Sequence, residues 1–78
     1  MKVNIQQKFA QFTDHWSPKI IGELNGQHLK LAKVQGEFVW HDHANEDELF
    51  LIYRGTLFID FRDRETVELN PGEFYVVP

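Results

Sequence analysis

Three side chains with metal-binding chemistry, His41, His43 and Glu48, fall within eight residues of the stretch Gly36-Glu37-Phe38-Val39-Trp40-His41-Asp42-His43-Ala44-Asn45-Glu46-Asp47-Glu48, and Gly55 closes the segment. On a β-strand successive side chains point to opposite faces, so His41 and His43 share a face while Asp42 turns away. The polar loop from Ala44 to Asp47 lets the chain reverse. Glu48 then opens the apolar run Leu49-Phe50-Leu51-Ile52-Tyr53 on a neighbouring strand, from which its carboxylate reaches the point where the imidazoles converge. Two imidazoles and one carboxylate with open coordination positions form the donor set of a facial triad. That set suits non-haem Fe(II) and also accepts Mn, Ni, Co or Zn. No cysteine-based site, glycine-rich phosphate loop, nucleophile elbow or Ser-His-Asp order accompanies it.

The elements that must position these ligands follow from periodicity and turn residues. Ile5, Phe9, Phe12 and Trp16 recur at helical spacing behind a capping-type Asn4, which predicts a short amphipathic helix over residues 4–12. After Ser17-Pro18 the pattern changes to strands. Residues 19–24 and 27–34 flank the hairpin signal Asn25-Gly26 and lead into a motif strand over 37–43. Further strands are predicted at 48–53, 56–61, 66–69 and 74–77, separated by Arg54-Gly55, by residues 62–65 and by Asn70-Pro71-Gly72. Gly55 and Gly72 are read as turn residues with positive φ. Many short strands at this spacing describe an all-β sandwich or barrel. Phe38, Trp40, Phe50, Tyr53, Phe58, Phe61, Phe74 and Tyr75 suit alternating barrel walls and are expected to be mostly core, with Trp40 packed outside. His28 reads as a half-exposed strand residue rather than a further ligand, and His15 as lying outside the site.

The order His41-x-His43-x4-Glu48-x6-Gly55 resembles the first motif of the cupin family, G-x5-H-x-H-x(3,4)-E-x6-G. Gly36 departs from it slightly, standing four intervening residues before His41 instead of five. Gly72-Glu73-Phe74-Tyr75-Val76-Val77-Pro78 is similar to the G-x5-P opening of the second motif. The resemblance implies an all-β cupin double-stranded β-helix, a jelly-roll type barrel, with a divalent transition metal (Fe, Mn, Ni, Co or Zn) on His41, His43 and Glu48. It also implies a fourth ligand, a His beyond that proline, which has no position here. The expected organisation is therefore one cupin domain over 1–78: an N-terminal helix and arm over 1–18, then a barrel over 19–78, C-terminally truncated and lacking its closing strands.

Composition bounds the function classes. A chain of 78 residues makes a marginal core, so a metal, a partner or further strands should support it, and the absence of cysteine excludes disulfides. The formal charge of −4 and the scatter of Lys8, Lys19, Lys30, Lys33, Arg54, Arg62 and Arg64 argue against nucleic acid. No apolar run is long enough for a membrane span or a signal peptide, and we expect a cytoplasmic protein. Asp42, Glu46 and Asp47 read as a solvated loop whose field favours a divalent cation. The expected function is a small metal-binding cupin, homodimeric, acting on a small-molecule ligand or substrate as a metal-dependent isomerase or dioxygenase. The alternatives are a non-enzymatic binding or sensing module, and a structural metal in a dimeric barrel.

Overall fold

The computed structural model describes residues 1–37 and 47–78. The chain divides into two compact units, Met1–Val39 and Trp40–Pro78. The predicted motif strand, 37–43, lies outside the described residues from residue 38 onward.

In the first unit, helix α1 spans Ile5–Phe9. Asn4 caps it as expected, its side-chain oxygen accepting from the Gln7 amide at 2.9 Å. The helix stops three residues short of the prediction. The Gln11 amide turns back to the Lys8 carbonyl at 3.1 Å, an i to i−3 bond that tightens the last turn and ends it. Phe12 still packs on Phe9, with ring centroids 5.9 Å apart. Trp16 is not a helical residue. It adopts φ 60°, a left-handed conformation unfavourable for a bulky side chain. It is held there because its amide donates to the Lys33 carbonyl at 2.8 Å and its indole Nε1 to the Gln35 carbonyl at 3.0 Å. The Lys33 ammonium in turn donates to the Phe12 carbonyl, so the loop is stitched to the segment beyond the hairpin.

That hairpin is β1 (Lys19–Leu24) and β2 (Gln27–Leu31), antiparallel and joined by Asn25 at φ 52° and Gly26 at φ 78°. Both turn residues are left-handed, as a type I′ turn requires and Asn-Gly supplies. β2 ends at Leu31 rather than 34, since the backbone beyond it turns to bond the Trp16 loop. The register slips between Ile20 and Gly22, which makes Ile21 a β-bulge.

The second unit contains β3 (Glu48–Leu51), β4 (Leu57–Ile59), β5 (Val67–Leu69) and β6 (Phe74–Val77). β4 pairs with β5 and β3 with β6, both antiparallel, so one hairpin is nested inside the other pair. The two pairings are one long ribbon with a corner. Leu51 faces Phe74 and Leu57 faces Leu69, so six positions on one arm match five on the other. At the corner the Ile52 amide donates to the Glu73 carbonyl at 2.9 Å, and the Gly72 amide to the Ile52 carbonyl at 2.8 Å. Gly55 and Gly72 take φ of 80° and 85°, as their turn assignments predict. Asn70 binds the corner together: it accepts from the Thr56 hydroxyl at 2.9 Å, donates Nδ2 to Glu68 at 3.0 Å and offers its amide to Glu73 at 2.8 Å. The backbone bonds of Ile52 to residues 72 and 73 take it into the corner, so β3 ends at Leu51, and β4 runs only over Leu57–Ile59.

Leu69, 4% exposed, is the buried hydrophobic residue among those described. The expectation that most aromatics are core therefore needs correction. Phe50, Phe61 and Tyr75 are half-buried, with Phe61 and Tyr75 rings 5.8 Å apart. Phe58, Phe74 and Tyr53 are exposed. Strand alternation explains this, because Phe58 and Phe74 stand on the faces opposite Leu57 and Tyr75.

Two outcomes are expected. Asn70→Ala removes two side-chain hydrogen bonds and should lower unfolding stability by about 1–2 kcal/mol, read from the urea midpoint. The Lys19 ammonium, 2.7 Å from Asp14, holds the Asp14 carboxyl below its ordinary value, chiefly through their hydrogen bond. Stability from this pair is complete above the ordinary carboxylate value and is lost as pH falls through the lowered one. A carboxyl NMR titration should show the low Asp14 midpoint in the parent and a raised one in Lys19→Gln.

Candidate metal centre

Glu48 is the candidate ligand within the described residues. It is the first residue of β3 and stands opposite Val77 on β6. Alternation along the two strands puts Glu48 and Phe50 on the same face as Tyr75 and Val77, and this face is half-buried. Leu49, Leu51, Phe74 and Val76 occupy the other face, each 46–61% exposed. A one-residue slip would exchange the two faces, so the corner that sets the register also decides that Glu48 points inward.

On that face the strand register gives Glu48 the neighbours Phe50, Tyr75 and Val77. Oε2 of Glu48 is withdrawn from solvent. Tyr75 belongs to a second polar group at this end of the unit. The Arg64 guanidinium lies 5.0 Å over the Phe61 ring and 3.3 Å from Asp63. Its pKa is raised by Asp63 first and by Tyr75 next.

His41 and His43 lie among residues 38–46, outside the described residues, as do Asp42 and Glu46 of the acidic loop. Among the described residues no three histidine, cysteine or carboxylate side chains are grouped to hold a metal. Gly36, the first glycine of the motif, takes φ 71°. His28 sits exposed on β2 opposite Glu23, consistent with a strand residue. His15 is exposed in the loop before Trp16. No described helix is long and apolar enough to cross a membrane.

One cluster had no sequence signal. Lys19 and Lys33 approach the Phe12 ring at 5.7 and 4.8 Å from its centroid, brought together by the hairpin and the Trp16 loop rather than by any regular spacing.

Comparisons with known proteins agree with this architecture. A family model described as "Cupin domain" matches residues 28–78. An uncharacterized protein, YdbB, of Bacillus subtilis (strain 168) is 36% identical over 74 residues, which cover 95% of this chain and 59% of that protein. The chain thus spans about three-fifths of this curated relative. A crystal structure of a cupin-2 domain containing protein from Shewanella frigidimarina NCIMB 400 superposes with a TM-score of 0.93 at 51% identity, over 97% of this chain and 74% of that one. Short strands, nested antiparallel pairing and one short N-terminal helix are thus an all-β cupin fold, and the chain belongs to the cupin family.

Proposed function

We propose that this cupin binds a divalent transition metal through His41, His43 and Glu48. The observation that carries the reading is the placement of Glu48, inward on β3 with Oε2 out of solvent among Phe50, Tyr75 and Val77. The donor set fits such an ion: two neutral imidazoles give borderline nitrogen ligands, and one carboxylate supplies the negative charge that partly offsets a divalent cation. The ion, when bound, would supply Lewis acidity or an O₂-activating centre. The protein's part would be to hold three ligands on a rigid strand frame and leave coordination positions for a small molecule. Phe50, Tyr75 and Val77 would give that molecule an apolar wall. Within this reading the activity belongs to the isomerase or the dioxygenase class, and the identity of the ion separates the two.

Elemental mass spectrometry on untagged protein should find close to one transition-metal ion per chain, none in the His41→Ala, His43→Ala double variant and less in Glu48→Gln. Added metal at about 100 times its Kd should raise the parent's stability by about 2.7 kcal/mol and leave the double variant unchanged. A parent that stays metal-free after reconstitution, with no thermal shift, refutes the metal reading.

The proposal extends to a homodimer. The outward face of the β3–β6 pair presents Leu49 beside Val76 and Leu51 beside Phe74, two cross-strand apolar pairs in water. A second copy offers the same face, so a two-fold contact buries both patches at once. Light scattering coupled to size exclusion should give twice the chain mass, and Leu51→Lys should return it to the monomer. A monomeric parent at high micromolar concentration overturns this part.

A further inference from the structure

In a regular strand Lys19, Ile20 and Ile21 would alternate between faces, yet all three line one groove with Lys8, Gln11 and Phe12 of the helix and its following turn. The register shift between Ile20 and Gly22 falls within this lining. The groove has a volume of about 380 Å³, within the range of small-ligand sites. The groove is open and its lining is mixed, the apolar part coming from Ile20, which is 60% exposed, and from the half-buried Ile21 and Phe12. Its polar groups are cationic. The Lys19 ammonium is 2.7 Å from Asp14 and 3.2 Å from the Ser17 hydroxyl, so one carboxylate answers it. Lys8 is half-buried along its stem, and among the described residues no hydrogen bond or ion pair engages its ammonium. Lys33 stands 4.8 Å over the same Phe12 ring, behind the wall.

The charge of the whole chain does not foretell this. Residues 1–37 hold five lysines against Asp14, Glu23 and Glu37, a surplus of two positive charges in a protein whose net charge is −4. Two of the five lysines, Lys8 and Lys19, line the groove, and Asp14 pairs with one of them.

We propose that the groove between α1 and β1 is a binding site for a small monocarboxylate with an apolar body, its carboxylate on Lys8 and Lys19 and its hydrocarbon against Phe12, Ile20 and Ile21. A purely apolar ligand would leave the Lys8 ammonium partly desolvated without a counter-charge, and a small inorganic anion would leave the isoleucine wall in water. An amphipathic carboxylate satisfies both. The site holds none of the metal-ligand candidates, so it stands or falls separately from the metal reading.

The test is a titration of the isotopically labelled protein with octanoate, followed by amide and methyl NMR, with octanol and acetate in parallel. Saturable shifts confined to Lys8, Gln11, Phe12, Lys19, Ile20 and Ile21 are expected with octanoate, and at least tenfold weaker binding with either control. Lys8→Gln, checked to keep a dispersed spectrum, should weaken octanoate about tenfold, while Lys8→Arg should retain it. Equal binding of octanol, unchanged affinity in Lys8→Gln, or no saturable shift up to millimolar octanoate each overturns the proposal.

Discussion

The second unit rests on the register of one antiparallel ribbon. From Glu48 opposite Val77 to Ile59 opposite Val67 the two arms stay paired, apart from a single corner. That corner absorbs an odd residue without letting the register slip. Backbone bonds between Ile52 and residues 72 and 73 fix the arms, and the Asn70 side chain locks the strands on either side. Because side chains alternate, this one constraint decides which residues face inward, and so places Glu48 among Phe50, Tyr75 and Val77 rather than in water. Among the described residues Leu69 is the fully buried hydrophobe, and the other inward residues of the ribbon are half-buried. In so small a chain hydrogen-bonded turns carry much of the specification that a large core would otherwise supply.

The first unit applies the same logic differently. Its Asn-Gly turn sets the hairpin, and the unfavourable backbone of Trp16 is over-determined by bonds to Lys33 and Gln35. The strain is local and the restraints come from about twenty residues away. A left-handed tryptophan of this kind persists because its neighbours leave it no alternative. The same stitching brings Lys33 to Phe12 and so helps create the cationic surround of the groove.

What could be read in the sequence follows from the range of the interactions involved. Asn4 capping, the Asn25-Gly26 turn, Gly55, Gly72 and the full extents of β1 and β6 were legible, because each is decided by residues adjacent in the chain. The spacing of His41, His43, Glu48 and Gly55 was enough to find the family, since four residue types falling in one register make a specific signal. Three features were not legible. Trp16 continued a helical period that the Gln11 amide had already ended. Phe58 and Phe74 look like core residues by type and are outward by register. Ile20 and Ile21 line one groove beside a register shift that sequence reading did not anticipate. Each depends on a partner far along the chain.

Nesting also fixes an order of assembly. Pairing Ile59 with Val67 closes a loop of seven residues, whereas pairing Glu48 with Val77 directly would close one of twenty-eight. Loop closure costs more entropy as the loop lengthens, so the inner hairpin forms first and the outer pair zips onto it through the corner. Glu48 is at the far end of that zipper. Its carboxylate reaches its final position only when the rung at that end closes, which ties the carboxylate's position to the completeness of folding.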